Sequence, residues 1–223
     1  MRCALALAFY LFPTQLMACE VALVLAVDVS GSVDAQEYDI QMQGLAAALR
    51  DSAVAEALIR GRAQVALVQW TGSSRQQVTL PWREVRSFAE TRALADEIAN
   101  APRAWRHFST AIGEALRVST LLFDTVPNCR RRVIDLSGDG LSNEGLPPDK
   151  LRSLLGARGI IVNALAIEGA AEHDLTAYFF ENVIFGPGAF VATASSYAEY
   201  PDRIRQKLLR ELTKQTAAET GAR

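Results

Sequence analysis

A carboxylate and two hydroxyls stand at alternate positions in the first polar turn of this chain. Asp28, Ser30 and Ser32 follow an apolar run, residues 21–27, and Gly31 lets the turn close without a Cβ clash. All three side chains offer hard oxygen atoms, which suit Mg²⁺, Mn²⁺ or Ca²⁺. Such turns also occur in ordinary loops and at helix N-termini, so alone this one fits either a metal site or a helix cap.

Two further polar positions occupy comparable places later in the chain. Thr110 stands in the first turn of a predicted helix, residues 109–123, and Asp139 follows a second apolar run, residues 133–136. In a parallel sheet, ligands bind beyond the carboxyl ends of the strands, where the strand order reverses. The turns that follow the two apolar runs are therefore the places where a site is expected.

This ordered set of residues resembles the metal-ion-dependent adhesion site of the von Willebrand factor type A (vWA) family. That site combines an Asp-x-Ser-x-Ser turn, a later threonine at a helix start and a later Asp-Gly after a strand. The resemblance covers roughly residues 21–212, and it extends to a bacterial group of exported single-domain vWA proteins whose function is not established. The five matching positions are Asp28, Ser30, Ser32, Thr110 and Asp139.

The resemblance implies a role for each of these side chains. Ser30 and Ser32 would ligate one divalent cation directly, with Mg²⁺ the expected ion and Mn²⁺ or Ca²⁺ the alternatives. Thr110 would ligate directly or through water, while Asp28 and Asp139 would act mostly through bound waters. A sixth position would stay open for an Asp or Glu carboxylate of a protein partner. The expected function is thus an exported, metal-dependent protein-binding module and not an enzyme.

Two residues depart from the family pattern. Gly138 stands where the family usually has Thr or Ser before Asp-Gly, and Asp135 interrupts a strand that should be apolar. A buried carboxylate needs a partner or a raised pKa. Asp135 is therefore predicted to pair with a base elsewhere in the fold, and both departures leave the shape of the site rim open.

The alternative function is a Mg²⁺-dependent phosphohydrolase on a similar α/β fold. An enzyme of that kind needs a second Asp two residues after its nucleophilic Asp, and here that position is Ser30, with no lysine in a matching place. The sequence lacks Gly-x-Ser-x-Gly and the glycine-rich dinucleotide turn. His107 and His173 are isolated, which disfavours a zinc enzyme.

A loop before Thr110 is expected to border the site. Its aromatic and arginine residues are typical of binding anchors. Trp105 and Phe108 could equally serve to pack the loop against the core. Glu168, after another predicted strand, is a further candidate for the rim. The possible partner-contacting residues are Trp105, Arg106, His107, Phe108 and Glu168.

Positioning these residues requires a sheet whose strands end at one edge. Apolar strands alternate with helical segments along the chain, which indicates a mostly parallel sheet with helices on both faces. With the family resemblance, this predicts a doubly wound α/β fold with six strands, one of them a short antiparallel edge strand that Pro81 ends. The predicted strands are residues 21–27, 63–70, 77–80, 133–136, 160–167 and 190–192.

Composition places the chain among globular proteins. Its 223 residues are 50% hydrophobic and 22% charged with a net charge of −2, which suits one buried core and no nucleic-acid surface. Residues 1–18 have the pattern of a secretory signal peptide, and their apolar run, residues 4–12, is too short to span a bilayer. The predicted organisation is this signal peptide, a vWA domain over residues 19–214 and a polar tail over residues 215–223, with no transmembrane span.

Cys19 and Cys129 would remain after signal cleavage, an even number in an oxidising compartment. In the strand order that the resemblance implies, they precede neighbouring parallel strands at the same edge, where disulfide geometry is accessible. A Cys19–Cys129 disulfide in a periplasmic or secreted protein is therefore predicted. The alternative is a lipoprotein, because residues 16–19 loosely resemble a bacterial lipoprotein box that would acylate Cys19.

Overall fold

Six strands form one sheet in a computed structural model of the chain, which describes residues 19–126, 129–169 and 174–213. The strands are β1 (Val21–Asp28), β2 (Gln64–Trp70), β3 (Gln76–Glu84), β4 (Arg131–Gly138), β5 (Ile160–Ile167) and β6 (Val191–Ala194). They follow the spatial order β3-β2-β1-β4-β5-β6, and every neighbouring pair is parallel except β2 with β3. The doubly wound α/β class with one antiparallel edge strand is therefore confirmed.

Helices cover both faces of this sheet. Those in the described residues are α1 (Ala35–Arg50), α2 (Ser52–Arg60), α3 (Phe88–Ala99), α4 (Ile112–Leu122), α5 (Arg152–Ala157), α6 (Leu175–Asn182) and α7 (Tyr200–Thr213). Successive residues of a strand point to opposite faces. Leu23 of β1 packs into the core under α1, α2, α3 and α7, whereas Val24 packs into the core under α4, α5 and α6. Burial on both faces explains the continuous apolar run of β1.

The centre of the sheet is the point where its winding reverses. β1 lies between β2 and β4; the connection to β2 runs over one face through α1 and α2, and the connection to β4 ends with α4 on the other face. The loops that follow β1 and β4 therefore diverge at the carboxyl edge, the arrangement in which ligand-binding crevices form. Strand pairing brings the two ends level, with Val27 beside Ser137.

The antiparallel edge strand is longer than the sequence predicts. Pro81 predicts an end at residue 80, but β3 continues through the proline, so the expectation of a short strand is corrected. The pairing of β3 with β2 shifts register on either side of Leu67. Proline has no amide hydrogen to donate to a neighbouring strand. The strand tolerates it here because β3 lies at the sheet edge and its pairing is irregular at this point. The next helix, α3, begins four residues after the strand ends, at Phe88.

The two cysteines meet at the amino edge of the sheet. Cys19 and Cys129 form a disulfide with their Cα atoms 4.6 Å apart. Beside it, the amides of Arg130 and Arg131 donate to the carbonyls of Cys19 and Glu20 at 3.0 and 2.9 Å. The bridge therefore extends the pairing of β1 with β4 and lies at the opposite end of these strands from Asp28.

The predicted terminal segments are not part of the described structure. The predicted signal peptide, residues 1–18, and the predicted polar tail, residues 215–223, both lie outside it. The last described residue of the predicted 19–214 domain is Thr213, which ends α7. Within the described residues, no helix combines the length and the apolar character needed to cross a membrane.

A buried ion pair connects β4 with α7. Asp135 Oδ1 lies 2.5 Å from Lys207 Nζ, and Lys207 also donates to Glu211 Oε1 at 2.7 Å. The prediction that Asp135 pairs with a base is confirmed. The side chains of all three residues are at most 2% exposed, so their contacts are shielded from water and hold α7 against β4.

We predict that the disulfide contributes measurably to stability. The bridge joins residues 110 positions apart, and the chain-entropy model sets the loss on its removal at no more than about 4–5 kcal/mol. Urea melts should therefore give reduced wild type and the oxidation-proof double variant Cys19→Ser/Cys129→Ser the same midpoint, below that of oxidised wild type. Equal midpoints for all three samples would contradict the prediction.

Candidate metal centre

The polar turns after β1 and β4 lie side by side at the carboxyl edge of the sheet. β1 ends at Asp28 and β4 ends at Gly138, with Asp139 directly after it. Because Val27 pairs with Ser137, Asp28 and Gly138 are the next residues along two adjacent strands. Strand order therefore brings together two carboxylates that are far apart in the sequence.

The first turn is ordered by its own hydrogen bonds. The amide of Ser30 donates to Asp28 Oδ1 at 2.7 Å, and the hydroxyl oxygens of Ser30 and Ser32 lie 3.2 Å apart. The cap of α1 is formed by other residues, since Asp34 and Glu37 make a reciprocal capping box. The turn therefore does not serve as the helix cap that its sequence alone would also allow.

Asp139 closes the cluster from the side of β4. Its Oδ1 accepts a hydrogen bond from the Ser32 hydroxyl at 2.6 Å, and its Oδ2 accepts one from the phenol of Tyr197 at 2.8 Å. Tyr197 opens the 3-10 helix Tyr197–Glu199 that leads into α7. Burial, followed by the charge of Asp139, raises the pKa of Tyr197, so its hydroxyl remains a donor at physiological pH.

Asp28 is fully buried within the cluster. Burial, followed by the charge of Asp139, raises the pKa of Asp28 to about 8. Its Oδ2 is also buried and makes no hydrogen bond to the described residues. A cation, or a water bound to one, would supply the positive partner that this oxygen needs.

Thr110 approaches the cluster from the loop before α4. Its amide donates to Asn143 Oδ1, and the amide of Asn143 donates to its carbonyl, both at 2.9 Å. Thr110 Oγ1 lies 3.6 Å from the point that a Cβ on Gly140 would occupy. The loop after β4 therefore holds Thr110 next to Gly140, the residue that follows Asp139.

The converging side chains offer only oxygen atoms, from two carboxylates and three hydroxyls. Within residues 19–126, 129–169 and 174–213, no group of three or more His, Cys, Asp or Glu could hold a metal ion. A metal at this edge would therefore depend on the hydroxyls. Oxygen-only sets suit hard cations such as Mg²⁺, Mn²⁺ and Ca²⁺, so the residues present fit a divalent ion.

Gly138 has a steric reason to depart from the family pattern. A Cβ at this position would lie 3.1 Å from Asp28 Oδ2 and 3.4 Å from the ring of Trp70. The contact with Asp28 is tight enough that its carboxyl group would have to move by a few tenths of an ångström, and the indole behind would limit the room for a side chain. Glycine therefore preserves the space beside the carboxylate oxygen that lacks a partner.

Arg103 holds the first turn in place, and no sequence motif marks it. Its Nη2 donates to the backbone carbonyls of Val29, Ser30 and Val33 at 3.1, 2.9 and 2.7 Å. One guanidinium nitrogen thus fixes three carbonyls of the turn. Tyr197 is equally unmarked in the sequence, because each residue acts through a contact with a segment far away in the chain.

The loop before Thr110 borders the first turn, as the sequence predicts. The Phe108 carbonyl accepts a hydrogen bond from the amide of Gly31 at 2.8 Å, and the guanidinium of Arg75 lies 3.7 Å from the centre of the Phe108 ring. Trp105 is half-buried against the core and anchors the loop. Of the loop residues predicted to contact a partner, Arg106, His107 and Phe108 are exposed.

Glu168 is engaged with a helix. Its two carboxylate oxygens accept hydrogen bonds from the amides of Leu175 and Thr176, at 3.2 and 3.0 Å, and one also accepts from the Thr176 hydroxyl. These contacts cap the N-terminus of α6, where a negative charge is favourable. The proposed contact of Glu168 with a partner would have to compete with this cap.

Solved structures with the same fold include vWA domains. PTMP1 of the mussel byssus, in a structure with a zinc-occupied MIDAS motif, has a TM-score of 0.64 and 18% identity over 88% of this chain and 46% of its own. A von Willebrand factor type A protein from Catenulispora acidiphila gives 0.61 and 18% over 86% and 43%. The pilus adhesin SpaC from Lactobacillus rhamnosus GG, in an open conformation, gives 0.60 and 13% over 86% and 30%. This chain therefore spans less than half the length of each, and the likeness is one of fold.

Among curated proteins, no sequence relative matches this chain. A family model described as "Protein of unknown function (DUF1194)" matches residues 18–216, which is most of the sequence. The protein therefore belongs to the DUF1194 family and has the fold of a von Willebrand factor type A domain.

Proposed function

We propose that this protein is an exported, metal-dependent protein-binding module with a complete metal-ion-dependent adhesion site. The proposal is supported by the contacts within the turn of Asp28, Ser30 and Ser32 and from that turn to Asp139, and by the Asp28 oxygen that is buried without a hydrogen bond to the described residues, with Thr110 on the adjacent loop. A bound divalent cation, Mg²⁺ by expectation, would supply positive charge there and an open position for an acidic group.

Each residue of the cluster has a distinct part in this proposal. Ser30 and Ser32 would ligate the ion directly, and Thr110 would ligate it directly or through water. Asp28 and Asp139 would balance its charge through bound waters. Because the direct donors are neutral hydroxyls, much of the charge would remain available to a partner's Asp or Glu carboxylate.

The surroundings of the cluster favour an acidic protein partner. Arg106 and the stacked pair of Arg75 and Phe108 lie on the loops beside the first turn. Positive groups around a cation would steer and orient a carboxylate-bearing surface. That SpaC is described as a pilus adhesin and PTMP1 as a thread matrix protein supports an interaction role for this fold.

Export is part of the proposal, to the periplasm or the medium. The signal-like pattern of residues 1–18 and the Cys19–Cys129 disulfide support an oxidising destination. A lipoprotein would need the Cys19 thiol that the disulfide uses. The two alternatives are therefore chemically exclusive for any one molecule.

Replacing Asp28 should separate metal binding from folding. Asp28→Asn retains an oxygen for the Ser30 amide and removes a buried acid whose ionisation is unfavourable without a cation, so in chelator it should melt no lower than wild type. Mg²⁺ at a hundred times its Kd should stabilise wild type by about 2.7 kcal/mol and the variant far less. Thermal melts with and without Mg²⁺ measure this.

The matched control for this melt is Asp96→Asn, which removes an exposed carboxylate that pairs with Arg50 away from the cluster. It should respond to Mg²⁺ as wild type does. Wild type that ignores Mg²⁺, Mn²⁺ and Ca²⁺ alike would contradict the metal site.

Tyr197→Phe should weaken metal binding while it keeps the ring in place. The lost hydroxyl donates to Asp139 Oδ2, and loss of such outer contacts typically lowers metal affinity by about 10–100-fold. Calorimetric titration with Mg²⁺ measures the change. Tyr38→Phe is the matched control, because it also removes a hydroxyl donor, to the Ala101 carbonyl, and should leave the affinity unchanged. Equal affinities in wild type and Tyr197→Phe would argue against a role for this contact.

The proposed function is tested by partner capture from the envelope fraction of the source organism. Immobilised wild type should retain a protein in Mg²⁺ and release it in chelator, and Asp28→Asn should retain none. A parallel phosphatase screen tests the alternative. Mg²⁺-dependent turnover by wild type that is lost in Asp28→Asn would overturn the binding proposal in favour of an enzyme.

A further inference from the structure

The ion pair between β4 and α7 lies in the dry interior of the domain. Asp135 is in the middle of β4, flanked by Leu25 of β1 and Asn163 of β5, and its side chain reaches the face covered by α7. Lys207 is fully buried, and its Nζ lies 5.8 Å from the centre of the Phe190 ring. An amine and two carboxyl groups are thus held together away from water.

This triad is short of hydrogen-bond partners. Asp135 Oδ2 and Glu211 Oε2 are both buried and make no hydrogen bond to the described residues. A triad that remained an ion pair would leave both oxygens with the full cost of their desolvation. A reaction that removed one of these oxygens, together with the charges of the pair, would relieve that cost.

The geometry favours bond formation between the lysine and the aspartate. Nζ lies 2.5 Å from Asp135 Oδ1, and with a C–O bond of about 1.2 Å it lies within about 3.7 Å of the carboxyl carbon. Groups held this close react as if at a very high effective concentration. Asp135 is also the nearer of the two carboxyl groups, since Glu211 lies 2.7 Å away.

Glu211 is suited to carry protons in such a reaction. Burial, followed by the charge of Asp135, raises the pKa of Glu211 to about 8. The group therefore holds a proton at neutral pH while it accepts a hydrogen bond from Lys207. A neutral acid beside an amine and a carboxyl group can donate a proton on one side and accept one on the other.

We propose that Lys207 and Asp135 condense into an intramolecular isopeptide bond, with Glu211 as the proton carrier. A proton first moves from Lys207 to Asp135, which leaves a neutral amine beside a neutral carboxyl group. Nζ then attacks Cγ, and Glu211 protonates the departing hydroxyl and takes the proton that Nζ gives up. The Nζ–Cγ bond forms, one Cγ–O bond breaks, one water leaves, and Glu211 is regenerated.

The bond is tested by the intact mass of the folded, reduced protein. Wild type should be lighter than its sequence by one water. Lys207→Met and the conservative Glu211→Gln should both have their full sequence masses, and circular dichroism verifies that they fold. In a tryptic digest, wild type should resist cleavage after Lys207 and yield one peptide linked to the segment that contains Asp135.

A matched control uses the exposed pair of Lys150 and Asp149, which lie 3.5 Å apart in solvent. Lys150→Met should retain the loss of one water. Asp135→Asn offers the same carbon with a different leaving group, so it should lose ammonia instead of water. Wild type at its full mass after prolonged incubation, a linkage that maps to Glu211, or water loss that persists in Lys207→Met would each overturn the proposal.

Discussion

The acid of Asp28 is buried at the end of β1, where its ionisation is unfavourable without a cation, and the carboxyl edge is organised around it. One of its oxygens is occupied by the Ser30 amide and the other has no partner in the described residues. Gly138 keeps side-chain atoms away from that oxygen. Asp139 adds a second charge nearby, held in position by Ser32 and Tyr197. The electrostatic free-energy cost of holding two acids this close together falls once a cation balances their charge.

The core of the domain also contains a buried acid, but its charge is balanced in a different way. Asp135 lies on the strand that ends at Gly138, and it too is a buried acid, but its positive partner is supplied by Lys207 from within the chain. A partner from within is permanent, whereas one from solution can come and go. Charge at the edge of β4 is therefore suited to reversible binding, and charge in its middle is suited to a lasting tie between β4 and α7.

The sequence predicts those site residues whose placement depends on the neighbouring strand or helix. Asp28 ends one strand, Asp139 directly follows another, and Thr110 lies just before a helix, so periodicity and turn chemistry are enough to bring them to one edge. Arg103 and Tyr197 act through backbone and side-chain contacts far away in the chain, and no local pattern encodes such contacts. The predicted end of β3 at residue 80 is wrong for a related reason, because its pairing with β2 shifts register at the proline and continues beyond it, and the sequence does not show that shift.

The disulfide and the candidate binding site lie at opposite ends of β1 and β4. A partner that pulled on the carboxyl edge, while the chain near Cys19 was held, would load these two strands along their length. In that direction the parallel backbone hydrogen bonds between them share the force and do not open one after another. The bridge would tie the same two strands at their far end, so mechanical load would pass through a covalently joined pair at the centre of the sheet.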